Sequence, residues 1–285
     1  SRSDDGWELE ADLRQAEVSI EQLGLTGGNA VTTPGTAALT PTADEDDDED
    51  GAELFNAVDS TTYRAIAARC NYLQPDRPDI QFAVKETCRM MSKPTVKSWE
   101  MLKRIGRYLK GRPRLVWRFD WQSEQDVIDV HSDANWAGCK RSRKSSSGGT
   151  IAVGSHLIKS YAKTQAVIAK SSGESELYGV IRASTEALGI STLLEDFGAT
   201  GIKVSVGMDA NAAIGIVQRR GLTKLRHVEL DVLWIQEQQA RRLLPLRKVP
   251  GPRNPSDMMT KNVDQAHIEL YLDLLNLRFG TGRAD

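Results

Sequence analysis

The spacing of hydrophobic positions changes period along the chain, and each change predicts an element. Leu9, Leu13, Ala16, Ile20 and Leu23 recur at roughly helical spacing before Gly24, so a short amphipathic helix is expected over 9–23. From Gly27 to Gly51 the residues are mostly Gly, Thr, Pro, Ala and acid, with little to build a core from, which reads as a disordered acidic linker. Helical spacing returns at 63–73, stopping before Pro75; at 78–91, with Pro78 in the first turn; and from Pro94 to Gly111. Past Asp120 the period alternates. Strands are expected at 127–133, 148–154 and 157–161, with Gly154-Ser155-His156 as a tight turn. A long helix at 172–197 follows, then a strand at 203–209, helices at 210–217 and 228–242, a strand at 245–249, and a closing helix from Pro255. Three antiparallel strands followed by alternating helix and strand predict an α/β fold: a five-stranded mixed sheet with helices on both faces, preceded by a small helical segment.

Composition changes this picture only in its charge. The chain has 285 residues, 40% hydrophobic and 27% charged, ordinary values for a globular protein. Its formal net charge of −2 hides an unbroken acidic run at 44–50, without which the remainder stands at about +5, mildly basic and compatible with a nucleic-acid partner. That run reads as a solvated spacer or as a nucleic-acid mimic that shields the basic part. Between Lys97 and Arg118 eight basic residues face the single acid Glu100, which reads equally as a solvated helix face and as a phosphate-tracking surface. Cys70, Cys88 and Cys139 have no paired spacing for zinc or a disulfide framework and are expected to be free thiols in a reducing compartment. No apolar run approaches a membrane span, so a soluble intracellular protein without a membrane partner is expected. Ser1 reads as a fragment boundary.

Four acids then stand at element ends. Asp133 closes the β-branched run 127–132, and Asp209 closes 204–208. Glu176 follows Ser171-Ser172-Gly173-Glu174, where Ser171 and Glu174 fit a capping box; this gives Glu174 a structural task and leaves Glu176, beside the stripe Leu177, Val180 and Ile181, as the favoured functional acid. Asp257 lies in Asn254-Pro255-Ser256-Asp257. Each has a plain alternative: Asp133 as a turn cap, Asp209 as a helix N-cap, Asp257 as an acid at a positive helix end. Together, four carboxylates converging on one sheet edge repel one another unless divalent cations neutralise them. Hard oxygen ligands select Mg²⁺, with Mn²⁺ as substitute, and two such ions about 4 Å apart suit phosphodiester hydrolysis.

The ordered motifs Ser132-Asp133-Ala134-Asn135-Trp136-Ala137-Gly138, Lys170-Ser171-Ser172-Gly173-Glu174-Ser175-Glu176, Met208-Asp209-Ala210-Asn211, Leu225-Arg226-His227-Val228-Glu229 and Asn254-Pro255-Ser256-Asp257-Met258-Met259-Thr260-Lys261 resemble the ribonuclease H domain of copia-type LTR retrotransposon Pol polyproteins. Upstream, Tyr63-Arg64 and Arg77-Pro78-Asp79-Ile80 through Leu109-Lys110-Gly111 resemble the connection between reverse transcriptase and ribonuclease H, and Gln22-Leu23-Gly24-Leu25 with Thr33-Pro34-Gly35 the polymerase tail. The resemblance implies a polymerase tail helix at 1–26, the acidic linker at 27–59, a helical connection at 60–120, a ribonuclease H-like domain at 121–262, and a C-terminal helix and tail at 263–285.

It further implies cleavage of the RNA strand of RNA/DNA hybrids with two Mg²⁺ ions. Asp133 would bridge both ions, Glu176 and Asp209 complete one shell, and Asp257 the other. Asn135, Asn211, Lys140, Arg141, Arg143 and Lys144 are plausible hybrid contacts, and the four cations read equally as an exposed turn. The upstream reverse transcriptase is an expected partner, and a cytoplasmic virus-like particle or the nucleus the expected location. Two departures stand out. No Tyr-x-Asp-Asp polymerase motif is present, and Gly251-Pro252-Arg253 stands where cellular ribonucleases H carry a loop His; His227 and His267 lie on other elements and read as structural or surface residues. The rival readings are a noncatalytic hybrid-binding or polymerase-docking remnant and, more weakly, an integrase-type DNA nuclease.

Overall fold

The computed structural model describes residues 2–40, 57–219 and 229–280. In chain order the elements are β1 (Arg2–Ser3), β2 (Gly6–Glu10), α1 (Leu13–Gln22), α2 (Ala57–Leu73), α3 (Gln81–Cys88), α4 (Val96–Gly111), β3 (Leu115–Asp120), β4 (Val127–Asn135), β5 (Ser146–Val153), β6 (His156–Thr164), α5 (Ser172–Asp196), β7 (Lys203–Met208), α6 (Asn211–Gln218), α7 (Glu229–Ala240), β8 (Leu246–Lys248), α8 (Gln265–Leu274) and β9 (Leu277–Phe279). They form two compact units: Ser1–Phe119 with Cys139–Arg143 and Lys261–Asp285, and Asp120–Gly138 with Lys144–Thr260.

In the first unit, Ala16 of α1, Tyr63, Ile66 and Cys70 of α2, Val84 of α3, and Leu102, Ile105 and Leu109 of α4 share one buried core. Helix α4 begins where it does because Thr95 and Ser98 satisfy each other's backbone N–H groups, at 3.2 and 2.8 Å. Arg77 is fully buried, forks onto Asp79 at 2.9 and 2.7 Å, and donates to the Arg112 carbonyl.

Several expectations change in this unit. The helix expected over 9–23 starts only at Leu13, because Asp12 accepts from the Arg14 N–H as its cap, while Gly6–Glu10 is a strand paired with β1. Residues 27–40, expected as linker, are folded. Lys110 donates to the carbonyls of Leu25 and Gly28, Arg104 reaches Thr33 Oγ1 at 2.8 Å, and Ala37–Leu39 forms a 3₁₀ turn. The acidic run 44–50 lies outside the described residues. The connection expected to be helical ends in β3, which completes a four-stranded sheet in the order β1-β2-β3-β9. The closing helix expected from Pro255 is divided into a 3₁₀ turn at Pro255–Met259, then α8 and β9.

The eight basic residues between Lys97 and Arg118 follow neither expected reading as a group. Lys103 pairs with Glu100, Arg104 and Lys110 hold the 27–40 segment, Arg112 pairs with Glu269 and Arg114 with Glu10. Four of the eight, Arg104, Lys110, Arg112 and Arg114, therefore tie segments of the first unit together, and Lys103 is paired within α4.

The second unit carries the expected five-stranded mixed sheet in the order β6-β5-β4-β7-β8. Strands β6, β5 and β4 run antiparallel; β7 and β8 are parallel to β4. Ile128 and Val130 of β4, and Val204, Val206 and Met208 of β7, alternate onto one face and pack under Leu177, Val180, Ala183 and Ala187 of α5, with α6 and α7 contributing Ala213, Val217, Val232 and Ile235. The opposite face, by the same alternation, carries Asp129, His131 and Asp133. The 3₁₀ turn 255–259 lies against it at Gly148, where a Cβ would stand 2.6 Å from Met259 Cβ.

Candidate metal centre

Strand register alone brings two of the four acids level. The parallel pair β4–β7 ends with His131 opposite Gly207, so Asp133 and Asp209, each two residues on, leave adjacent strands at the same end and on the same face. On the other side, Asp133 pairs with Gly148 of β5. The absent side chain there admits the 3₁₀ turn, whose backbone and Thr260 would collide with any Cβ.

Glu176 arrives from the helix. Ser171 caps α5 by accepting from the Glu174 N–H at 3.2 Å, and Glu174 reaches back to the Lys170 N–H at 3.1 Å, one residue before the cap that the capping box predicts. Two residues after Glu174, the buried Glu176 carboxylate turns to the end of β4 and accepts from the Ala134 backbone N–H. Gly179, one turn on, presses against β4 closely enough that a Cβ would stand 3.1 Å from Ser132 Oγ.

Asp133, Glu176 and Asp209 each offer an oxygen within 4.8 Å of the others. Burial pushes the Glu176 carboxyl up to about 9, with the Asp133 and Asp209 charges adding to the effect and Asp257 contributing least. Glu176 Oε2 is buried without a hydrogen-bond partner among the described residues. Three converging carboxylates, one of them destabilised as an anion and with an unsatisfied oxygen, are the donor set expected of a hard divalent cation site.

Asp257 is buried on the 3₁₀ turn, near enough to act on Glu176 and outside the group of three. Asn254 positions that turn, accepting from the Ser256 N–H at 3.2 Å and donating to the Ser132 carbonyl at 2.9 Å. The N-cap alternative for Asp209 is not realised: Ala210 occupies the cap position of α6, without a side-chain bond. Among the expected hybrid contacts, Asn135 donates to the Thr260 carbonyl at 3.4 Å, and Asn211 is exposed at the start of α6. Lys140, Arg141 and Arg143 are exposed on a loop counted with the first unit, whereas Lys144 belongs to the second. His267 is on the surface, bonded to Asp264, and His227 lies outside the described residues.

Two participants were not singled out from sequence. Thr260 Oγ1 donates to Asp133 Oδ2, and Lys248 Nζ donates to the Asp209 carbonyl. Thr260 sits three residues past Asp257 in the quoted motif, and only the pairing of β5 with the 3₁₀ turn shows that it serves Asp133. Farther along the same face, Arg247 reaches across Gly207 to Asp129 and to His131 Nε2 at 3.2 Å, and burial holds the His131 imidazole below its ordinary pKa.

No family model matches the chain. Two retrovirus-related Pol polyproteins are similar to it. One, from transposon RE1 of Arabidopsis thaliana, is 30% identical over 218 residues, covering 75% of this chain and 15% of its own length. The other, from transposon TNT 1-94 of Nicotiana tabacum, is 25% identical over 266 residues, covering 90% of this chain and 19% of its own length. Among solved structures, LC11-RNase H1 aligns over 47% of this chain and 93% of its own at 16% identity, with a TM-score of 0.38 alone and 0.34 in complex with an RNA/DNA hybrid. The fold rests on the strand order and register instead of on those scores. The chain spans under a fifth of the length of the Pol relatives it matches, and over that span it belongs to the retrovirus-related Pol polyproteins of copia-type transposons.

Proposed function

We propose that the second unit hydrolyses the RNA strand of RNA/DNA hybrids, with Asp133, Glu176, Asp209 and Asp257 as its catalytic carboxylates. The observation that carries this is the group of three oxygens within 4.8 Å at the end of β4, β7 and the start of α5. Two Mg²⁺ ions, or Mn²⁺ in their place, would supply an activated water and neutralise charge on the leaving oxygen. Asp133, Glu176 and Asp209 are the residues that would hold them, with Asp257 completing the set from the 3₁₀ turn. Thr260 fixes the Asp133 carboxylate, and the Asn254 side chain ties the turn to β4 at Ser132. Recognition of the hybrid rests on backbone and shape, with 2′-hydroxyl contacts marking the RNA strand. The upstream reverse transcriptase of such polyproteins is the proposed protein partner, and a virus-like particle or the nucleus the proposed place of action.

The test is cleavage of an end-labelled RNA/DNA hybrid with Mg²⁺, by the wild type and by Asp133→Asn. Cutting that disappears in the variant while hybrid binding persists supports the proposal. Binding without cutting in either Mg²⁺ or Mn²⁺ replaces it with the noncatalytic reading, and cutting of duplex DNA in preference to hybrid replaces it with an integrase-type nuclease.

A further inference from the structure

On the hydrolase reading above, we infer that Trp136 and the loop 165–170 of the second unit form an apolar platform that a nucleotide of the hybrid contacts beside the bond to be cut. The usual posture of a surface tryptophan is inverted here. Its polar N–H is turned inward, donating to the Ala169 carbonyl at 2.9 Å, while the side chain is 47% exposed. The turn that carries it is closed twice, by the Gly138 N–H on the Asn135 carbonyl at 3.3 Å and by the Ala137 N–H on Ser145 Oγ at 3.1 Å. Ala137 is held there at φ +50°, a left-handed conformation that costs energy in any residue but glycine. The ring is therefore exposed and fixed.

The loop that accepts its N–H is fixed as well. The Gln165 N–H donates to the Ser145 carbonyl at 2.8 Å, and its side chain donates to Ser147 Oγ at 2.9 Å and to the Ser175 carbonyl at 2.8 Å. At the far end the Lys170 N–H donates to Glu174 at 3.1 Å. Between these anchors Val167 and Ile168 are 47% and 55% exposed, and Ile168 immediately precedes the residue that holds the indole. Apolar surface presented on pinned backbone loses little freedom when something covers it.

Its place and its charge identify the occupant. Trp136 stands three residues past Asp133, at most about 10 Å of extended chain. That is about three nucleotide steps along a duplex. A strand whose phosphate reaches the carboxylates passes over this end of β4. The segments that hold the ring also carry cations: Lys144 adjoins Ser145, Lys170 adjoins Ala169, and Lys163 lies on β6 opposite Ser147. Glu174, the acid of this segment, is buried. An apolar platform set among lysines suits the sugar faces and base edges of a phosphate-linked chain.

Hybrid affinity is measured on the uncleaved Asp133→Asn background with Trp136→Leu, Trp136→Phe or Ile168→Ser added. Trp136→Leu is expected to weaken binding about tenfold, the scale of one lost aromatic contact to a nucleotide, and the other two about two- to threefold. The slope against salt should not change, because no phosphate contact is removed. In the otherwise wild-type chain, KM for hybrid should rise while kcat and Mg²⁺ affinity hold. An indole that only braces α5 would do the opposite, lowering kcat and Mg²⁺ affinity while hybrid affinity holds, and would overturn the inference. In protein labelled with 5-fluorotryptophan, the fluorine resonance that Trp136→Phe removes should shift when hybrid is added and stay in place with polyphosphate. Unchanged hybrid affinity in all three variants overturns the inference and leaves the hydrolase reading standing, whereas a parent chain that binds no hybrid removes both. Variants that keep hybrid affinity and lose association with the upstream reverse transcriptase portion assign the patch to a protein partner instead. Should the Trp136 variants unfold, Ile168→Ser, at an exposed position, decides it alone.

Discussion

Glu176 is the side chain most at odds with its surroundings, and the sign of its effect can be worked out. Its carboxyl moves from an ordinary 4.5 up to about 9 in the metal-free fold, so between those values the folded chain holds a proton that the unfolded chain has released. Stability therefore falls as pH rises from about 4.5 toward 9. Glutamine has the same shape and no charge. In chelator-treated protein, Glu176→Gln is expected to be more stable than wild type at pH 8 by about 1–3 kcal/mol, the usual cost of an unsatisfied buried polar group, and nearly equal to it at pH 4.5. Thermal melts at the two pH values check this. Added Mg²⁺ should raise the wild-type midpoint and raise that of the variant less, since only a ligand that binds the folded state shifts the balance. A variant less stable than wild type at pH 8 without metal would show that the carboxylate group is satisfied by the protein alone. At this scale Asp133 and Asp209 were legible because each closes a run of apolar residues whose period is visible, Glu176 because it stands beside a capping box and a core-facing stripe, and Asp257 through the motif that carries it. The setting of Trp136 was not: its indole is held by the Ala169 carbonyl, and no local spacing joins two residues 33 positions apart.

Among elements, the fit of the 3₁₀ turn Pro255–Met259 onto β5 governs how Thr260 reaches Asp133 and where Asp257 stands near Glu176. Gly148 makes that fit: a Cβ there would stand 2.6 Å from Met259 Cβ, 2.8 Å from Thr260 Cγ2 and 2.9 Å from the Ser256 carbonyl. Gly148→Ala is expected to cost about 1–3 kcal/mol through overpacking, and to weaken Mg²⁺ binding by shifting the hydroxyl that holds Asp133. Gly189 is the contrasting case, an exposed α5 position with nothing within 4 Å of a Cβ, where alanine should stabilise by about 0.5–1 kcal/mol and leave metal affinity alone. Denaturant unfolding and Mg²⁺ titration of both variants check the pair; equal losses would mean that backbone entropy alone governs both sites. The helices and strands of the second unit were legible because α5, β4 and β7 each carry a clear period. What escaped was pairing over distance. Val116 and Trp117 read as the end of a helical region, whereas β3 exists because Leu277–Phe279 pairs with it from some 160 residues away. Residues 27–40 read as linker because their apolar side chains are few and mostly small; the segment is held instead by Lys110 at the Gly28 carbonyl and Arg104 at Thr33, whose reach no hydrophobic pattern reports.

For the whole molecule the question is where its positive charge is available. The eight cations between Lys97 and Arg118 form the larger cluster in sequence, but Lys103, Arg104, Lys110, Arg112 and Arg114 are occupied by carboxylates, Thr33 and backbone carbonyls of the first unit. Lys140, Arg141 and Arg143 are exposed on one loop. If phosphate contacts drive hybrid binding, the logarithm of affinity falls linearly with the logarithm of salt concentration, by about 0.9 per phosphate neutralised on a duplex. Replacing Lys140, Arg141 and Arg143 together with glutamine is therefore expected to lower that slope by about 2–3, while the melting temperature changes little. Replacing Lys110, Arg112 and Arg114 together should do the reverse: the slope holds, and the first unit loses stability as its partners at Gly28, Glu269 and Glu10 are released. Salt titrations of hybrid binding on an uncleaved Asp133→Asn background separate the two. A slope that drops for the second set and holds for the first would move the nucleic-acid surface onto α4, and would make the pairs seen there contacts that phosphate displaces.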